Sequence, residues 1–194
     1  MSSVVISGDT SGAITVSAPL VAGTNTLTLQ AATATSAVNT RATAVTASGT
    51  SVDFTGLPAW VERITVMFSG VSTSGTSNIQ VQLGTGSTTY TTSGYGNNFS
   101  IQGSASITTS SATSGFVCVS PSVSTGVYSG QIIISNITGN TFTEVGQMGE
   151  TNGSRITSSA GSIALAAALT AVRITTVNGT DTFDAGTINI LYEG

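Results

Sequence analysis

The chain contains no lysine and no histidine, and its 194 residues carry only four arginines and eight acidic side chains, for a net charge of −4. Without histidine or lysine, the usual general bases for a serine nucleophile are missing in both their Ser-His and Ser-Lys forms. The glycine-flanked Gly8-Asp9-Thr10-Ser11-Gly12, which has the outline of a hydrolase nucleophile, therefore reads as a turn. Arg41, Arg63, Arg155 and Arg173 are scattered along the chain. Nonspecific affinity for nucleic acid needs several phosphates neutralised together, so no nucleic-acid partner is expected.

Cysteine is nearly absent as well. Cys118 stands alone, which excludes an intrachain disulfide framework and a cysteine metal site; between Phe116, Val117 and Val119 it reads as a buried core thiol. Long apolar runs are lacking: Ile163 to Val172 is too short to span a bilayer and is followed by Arg173. The N-terminal MSSVVISGDT has no basic stretch leading into an apolar one, so no secretory leader is expected. The expectation is a protein made in a cytoplasm, without membrane insertion. No aromatic residue precedes Phe54, so the first fifty residues lack the bulk for a core of their own.

What the chain does have is serine and threonine, about a third of all residues, with 39% hydrophobic residues and 23 glycines. Thr, Val and Ile suit the pleated strand and Gly and Ser punctuate it, so the composition points to many short strands with few or no long helices. Disordered low-complexity chains share the low charge but lack Val, Ile and Leu recurring at strand spacing.

The clearest alternation runs from Leu57 to Leu83. Trp60, Glu62, Ile64, Val66 and Phe68 fall on one face of an extended chain, and Val61, Arg63, Thr65 and Met67 on the other. The run SGVSTSGTSN, with Gly70 and Gly75, can reverse the chain before Ile79, Val81 and Leu83 resume the pattern, which predicts a long β-hairpin. Trp60 is expected to anchor the core rim. The C-terminus repeats the signal: Val172 to Val177, the tight turn Asn178-Gly179, and Thr187 to Glu193 as a central strand, together a second hairpin beside the first. IALAAAL leads directly into Val172 and is read as strand. Ile132, Ile133 and Ile134 in succession suggest a strand covered on both faces, and TFTEVGQM alternates Phe142 and Val145 imperfectly, allowing a bulge.

About eight to eleven strands follow, with turns every 8 to 12 residues. The predicted fold is all-β: a β-sandwich of jelly-roll type over residues 51–194, with an extended N-terminal β arm over residues 1–50 that serves attachment or oligomerisation.

Three places invite a chemical reading. Asp181 and Asp184 in NGTDTFDAG are the densest carboxylates and could offer oxygen ligands to Ca²⁺, but two carboxylates without a ligand array favour turn capping. Leu83-Gly84-Thr85-Gly86-Ser87 lacks the spacing of a phosphate-cradling loop and reads as a hairpin end. Tyr90, Tyr95, Asn97, Asn98 and Phe99 bring aromatic rings together with amides in a Gly- and Ser-rich loop; such a loop either binds a receptor or packs on its own domain. No catalytic residue, metal ligand or cofactor site is predicted.

Residues 3–29, SVVISGDTSGAITVSAPLVAGTNTLTL, resemble segments that recur in tail-fibre and other virion-associated proteins of tailed bacteriophages. WVERITVMFSGVSTSGTSNIQVQLG and VRITTVNGTDTFDAGTINILYE are similar to a domain of phage structural proteins. The resemblance covers about 75 residues at both ends and the middle, and 85 to 160 match no pattern. It implies a virion fibre, knob or decoration protein. As a fibre it would be a homotrimer, assembled in the host cytoplasm, contacting other virion proteins through residues 1–50 and a host-surface glycan or protein through the distal domain. A capsid decoration or head-fibre protein is the alternative, and a polysaccharide depolymerase a more remote one.

Overall fold

The computed structural model describes residues 3–7, 13–17, 38–121 and 123–194, and the chain divides into two units, residues 1–36 and 37–194. In the first unit β1 (Ser3–Ser7) pairs antiparallel with β2 (Ala13–Ser17) in unbroken register, Ser3 opposite Ser17 and Ser7 opposite Ala13. The predicted turn over residues 8–12, and residues 18–37 of the predicted arm, lie outside the described residues.

The second unit is a two-sheet sandwich without a helix among the described residues. The small sheet holds β5 (Ser51–Thr55), β7 (Ile79–Gly84), β10 (Phe116–Val119) and β14 (Ala171–Thr176), side by side in the order β10-β7-β14-β5. The large sheet holds β3 (Asn39–Arg41), β6 (Arg63–Thr73), β8 (Gly96–Gln102), β9 (Ile107–Ala112), β11 (Tyr128–Thr138), β12 (Thr141–Glu150), β13 (Ile156–Ala164) and β15 (Phe183–Glu193). Its order is β3-β15-β6-β11-β12-β13-β8-β9, with the short β4 (Val45–Thr46) also on β15. All pairings are antiparallel.

The core lies between the sheets. Ile64, Val66 and Phe68 of β6, Ile132 and Ile134 of β11 and Ile188 and Ile190 of β15 meet Val81 and Leu83 of β7, Phe116 of β10 and Val172 and Ile174 of β14, all buried. No helix crosses the membrane-spanning threshold of length and apolarity among the described residues.

The alternation in β6 holds as far as Phe68 and then changes phase. Gly70, at φ +64°, sits in a bulge that gives β6 one residue more than both neighbours, so that Val71 and Thr73 continue the buried face. Gly70 is thus a strand feature, and the chain turns only after Thr73.

That turn does not make a hairpin. β6 belongs to the large sheet and β7 to the small one, so residues 74–78 carry the chain across the sandwich. The predicted C-terminal hairpin is likewise an arch: β14 pairs with β7 and β5, whereas β15 pairs with β6. The Gly84 turn also changes sheets, from β7 to β8. A hydrophobic alternation with a Gly-rich break fits a hairpin and an arch equally, because each strand needs one buried face and the break specifies no partner. The expected neighbourhood survives in another form: the two arches lie together, with Ser74 N donating to Thr182 O, Val177 N to Asn78 O and Asn178 N to Ser77 Oγ.

Other expectations are corrected by the same geometry. The sandwich begins before Ser51: β3 and β4 pair with β15, and Ala47 is buried in the core, so residues 38–50 belong to the sandwich rather than the arm. There are thirteen strands in this unit, more than eight to eleven. Only Ile163 and Ala164 of IALAAAL are strand; Ala166, Ala167 and Ala168 are exposed in the connection to β14. Trp60 precedes β6, is 40% exposed and packs against Tyr192 with ring centroids 5.8 Å apart, so it covers a sheet end rather than filling the rim. Ile133 is half-buried between two fully buried isoleucines, so β11 is not fully covered on its outer side. The final strand is central, flanked by β6 and by β3 and β4, and Cys118 is buried, both as expected.

Candidate functional site

The five residues read as a receptor-binding loop do not form one. Asn97, Asn98 and Phe99 are in β8, and strand alternation sends them to opposite sides. Tyr95 and Asn97, 2% and 1% exposed, join the two sheets from inside. The Tyr95 hydroxyl accepts from Leu83 N at 2.8 Å and its ring meets Phe116 edge-on, centroids 4.9 Å apart; burial pushes its pKa up to about 12. Asn97 Oδ1 accepts from Val117 N at 3.0 Å, and its Nδ2 donates to Glu144 Oε2 and Ala160 O, each at 3.4 Å. Phe99 is buried too. Asn98 alone is exposed, beside Ser100, Thr109 and Ser158 in a shallow depression of about 660 Å³ across β9, β8 and β13. The structure corrects the loop assignment: Gly- and Ser-rich flanks hid a strand whose polar residue Asn97 satisfies buried backbone.

Asn97 leads to a group that the alternation concealed. Phe142, Glu144, Gly146 and Met148 form the inner face of β12, its pairing with β13 is regular, and Val145 points out, 58% exposed. The supposed bulge was a glutamate on the core side. Glu144 accepts from Ser159 Oγ at 2.7 Å, and burial raises its pKa from 4.5 to about 7 despite that bond. The nearby Cys118 thiol is pushed up by burial and by the Glu144 carboxylate, which makes it unreactive.

Tyr90 lies elsewhere, against the outer face of the small sheet. There Asp53, Arg173 and Gln82 form one cross-strand row and Ser51, Thr175 and Gln80 the next. These residues alternate with the core residues Val52, Phe54, Val81, Leu83, Val172 and Ile174, so the strands that build the core also fix this polar surface. Arg173 Nε and Nη2 donate to Asp53 Oδ1 and Oδ2 at 2.8 and 2.7 Å, and its guanidinium lies 4.0 Å from the centre of the Tyr90 ring. The Asp53 bonds raise the Arg173 pKa, while burial and the Asp53 charge raise that of Tyr90.

Gln80 and Gln82 are almost wholly buried and are held by Ser114, whose Oγ donates to Gln80 Oε1 at 2.8 Å and whose carbonyl accepts from Gln82 Nε2 at 2.9 Å. Together with Thr175 and Asn178 these side chains line a crevice of about 330 Å³. It offers amide, hydroxyl and guanidinium groups in fixed positions. The Asp53 pair uses two of the five N–H donors of Arg173. This is hydrogen-bonding chemistry suited to a polyhydroxylated or peptidic ligand. Sequence reasoning passed over it because Gln80 and Gln82 look like the solvent side of an ordinary strand, although Arg173 was one of only four cations.

Asp181 acts as a turn cap, whereas Asp184 lies in β15 and is bonded across to β6. Asp181 Oδ2 accepts from Ser77 N at 2.9 Å and Oδ1 from Asn178 Nδ2 at 2.8 Å, which holds its pKa below the usual carboxylate value; Asp184 accepts from Ser72 Oγ. Among the described residues no three acidic, histidine or cysteine side chains gather as a metal site.

No family model matches the chain, and neither a curated protein nor a solved structure matches it.

Proposed function

We propose that this chain is a virion structural protein of the tail-fibre or fibre-knob class that attaches to the host surface. The observation that carries this reading is the strand order. In the small sheet the first, fourth, second and third strands in chain order, β5, β14, β7 and β10, lie side by side. The large sheet repeats that order from β6 to β9 when the meander β11-β12-β13 counts as one element: β6, meander, β8, β9. This order supports reading the sandwich as the double Greek key of a jelly roll, enlarged by one hairpin, by β15 and by the short β3 and β4, and jelly rolls serve as viral capsid and lectin domains.

A fold does not name a function by itself, so the site has to supply the remainder. The crevice around Arg173, Gln80 and Gln82 is the proposed contact for a host glycan or protein. Residues 1–36 attach to other virion proteins, and the assembled form is a homotrimer. The same strand order favours a second reading, a capsid decoration or head-fibre protein.

Immunogold labelling of intact particles tests both readings. Gold at the tail fibres supports the first, gold over the capsid the second, and unlabelled particles sink both. Binding of the full chain to host cells, abolished by Arg173→Gln with an unchanged circular dichroism spectrum, tests the crevice.

A further inference from the structure

We infer that the outer face of the large sheet is a docking surface for a second copy of this chain, centred on Val145. Opposite the core residues, the strand pairings align Leu191, Thr65, Ile133, Val145 and Ala160 into one row across five strands, aliphatic except for the Thr65 hydroxyl. Met67, Gln131, Gln147 and Ser158 form the adjacent row. Val145 is 58% exposed in the middle of this face, and Ile156 and Ile107 are exposed toward one end of it. An isolated exposed valine is ordinary, but Ile133, Val145 and Ala160 side by side on three paired strands form a patch.

Charge and area select the occupant. From β15 to β9 the rows through Arg63, Thr65 and Met67 contain only two charged residues, Arg63 and Glu193, which neutralise each other at 3.7 Å. A face so free of charge holds nothing for an acidic or basic partner to recognise. A copy of itself meets no like charge there, and Thr65, Ile133, Val145 and Ala160 lose little rotamer freedom on packing. Seven strands each about 4.8 Å wide and three side-chain rows each about 6.8 Å wide cover about 34 by 20 Å, or about 700 Å², above the roughly 500 Å² per partner at which an interface becomes specific. The opposite side of the sandwich, with its Arg173–Asp53 pair and glutamine-lined crevice, stays free for a ligand. The inference stands without the virion reading.

The test is sedimentation equilibrium of the full chain at micromolar concentration, for the wild type, Val145→Arg and Thr180→Arg. The wild type is expected to be a dimer or trimer. Val145→Arg, which buries a charge against its own copy, is expected to weaken assembly by about 30-fold or more. Thr180→Arg adds the same charge on an exposed arch and is expected to leave the mass unchanged. Gln147→Arg, in the adjacent row, repeats the test if Val145→Arg does not fold. A monomeric wild type overturns the inference. So does an assembly indifferent to both face variants, since the contact would then lie in residues 1–36 or elsewhere. Because Cys118 is buried, a pyrene maleimide on Val145→Cys reports the face directly: excimer emission is expected, and monomer emission alone from an assembled sample overturns the assignment.

Discussion

The two sheets of the sandwich treat their outer faces in opposite ways. Every residue of β7 and β10 is buried, including Gln80 and Gln82, whereas β12 buries Phe142, Glu144 and Met148 and leaves Val145 and Gln147 exposed. In the small sheet β7 and β10 are covered on both sides while β5 leaves Asp53 and Thr55 exposed; the large sheet is half open to solvent. The first arrangement makes Gln80 and Gln82 part of a packed interior and so fixes these side chains of the crevice. The second leaves a broad uncharged surface whose side chains cost little to change. Mutations should therefore divide by sheet.

The sharpest contrast sets Phe116→Ala against Val145→Ala. Phe116 is wholly buried and carries the edge of Tyr95, so its truncation should destabilise the fold by about 3–5 kcal/mol. Val145→Ala should stay within about 0.5 kcal/mol. Urea denaturation midpoints measure both, and similar shifts for the two would break the comparison.

Among the described residues Glu144 is the one acidic or basic side chain that is buried. Its folded pKa of about 7 stands above the ordinary 4.5. Below pH 4.5 the carboxyl is protonated in both folded and unfolded chains, and its contribution is fully present. As pH rises toward 7 the unfolded chain releases the proton while the folded chain retains it, so stability falls. The total loss by pH 8 is on the order of 3 kcal/mol at about 1.4 kcal/mol per pKa unit. Glu144→Gln should remove that slope. Denaturant midpoints from pH 4 to 8 decide the matter, and a wild-type profile as flat as that of the variant would show that Glu144 is solvated.

Asn97 tests the bond between the sheets. Asn97→Ala leaves Val117 N without its acceptor in a buried position, which costs about 1–3 kcal/mol. It also removes a donor from the Glu144 carboxylate, so the Glu144 pKa should rise further and the pH slope steepen. Asn98→Ala, one residue on but facing outward, should change neither quantity. Equal effects at the two positions would contradict the facing of β8.

How much of this was legible in the sequence follows from what a period-two pattern contains. Ile64, Val66 and Phe68, or Val172 and Ile174, declare a strand with a buried face, and they are buried strands. The pattern does not say which strand is the neighbour, so both long hairpins were in truth arches. It also fails wherever a polar residue is buried. Asn97 beside Tyr95 looked like a recognition loop, and Glu144 between Phe142 and Val145 looked like a broken alternation. Both are core positions made tolerable by partners distant in sequence: Val117 N for Asn97 and Ser159 for Glu144. Asp181 was readable as a turn cap because its partner Asn178 is three residues away. The crevice was not readable, because it needs β5, β7 and β14 in register.

The crevice itself should also show only a small stability effect, and that makes it a clean place to look for function. The Arg173 and Asp53 side chains are 32% and 30% exposed, so their ion pair is screened by solvent and should contribute no more than about 1 kcal/mol. Arg173→Gln keeps an amide donor and much of the aliphatic stem while losing the fixed fork and the charge above Tyr90. Its thermal midpoint should fall by only a few degrees. Should host-cell binding vanish while the fold is intact, the loss belongs to recognition, and the wholly buried β7 is what holds the recognition surface still. Should binding persist at wild-type affinity, the ligand does not use the crevice, and the comparison of the two sheets would point instead to the open face.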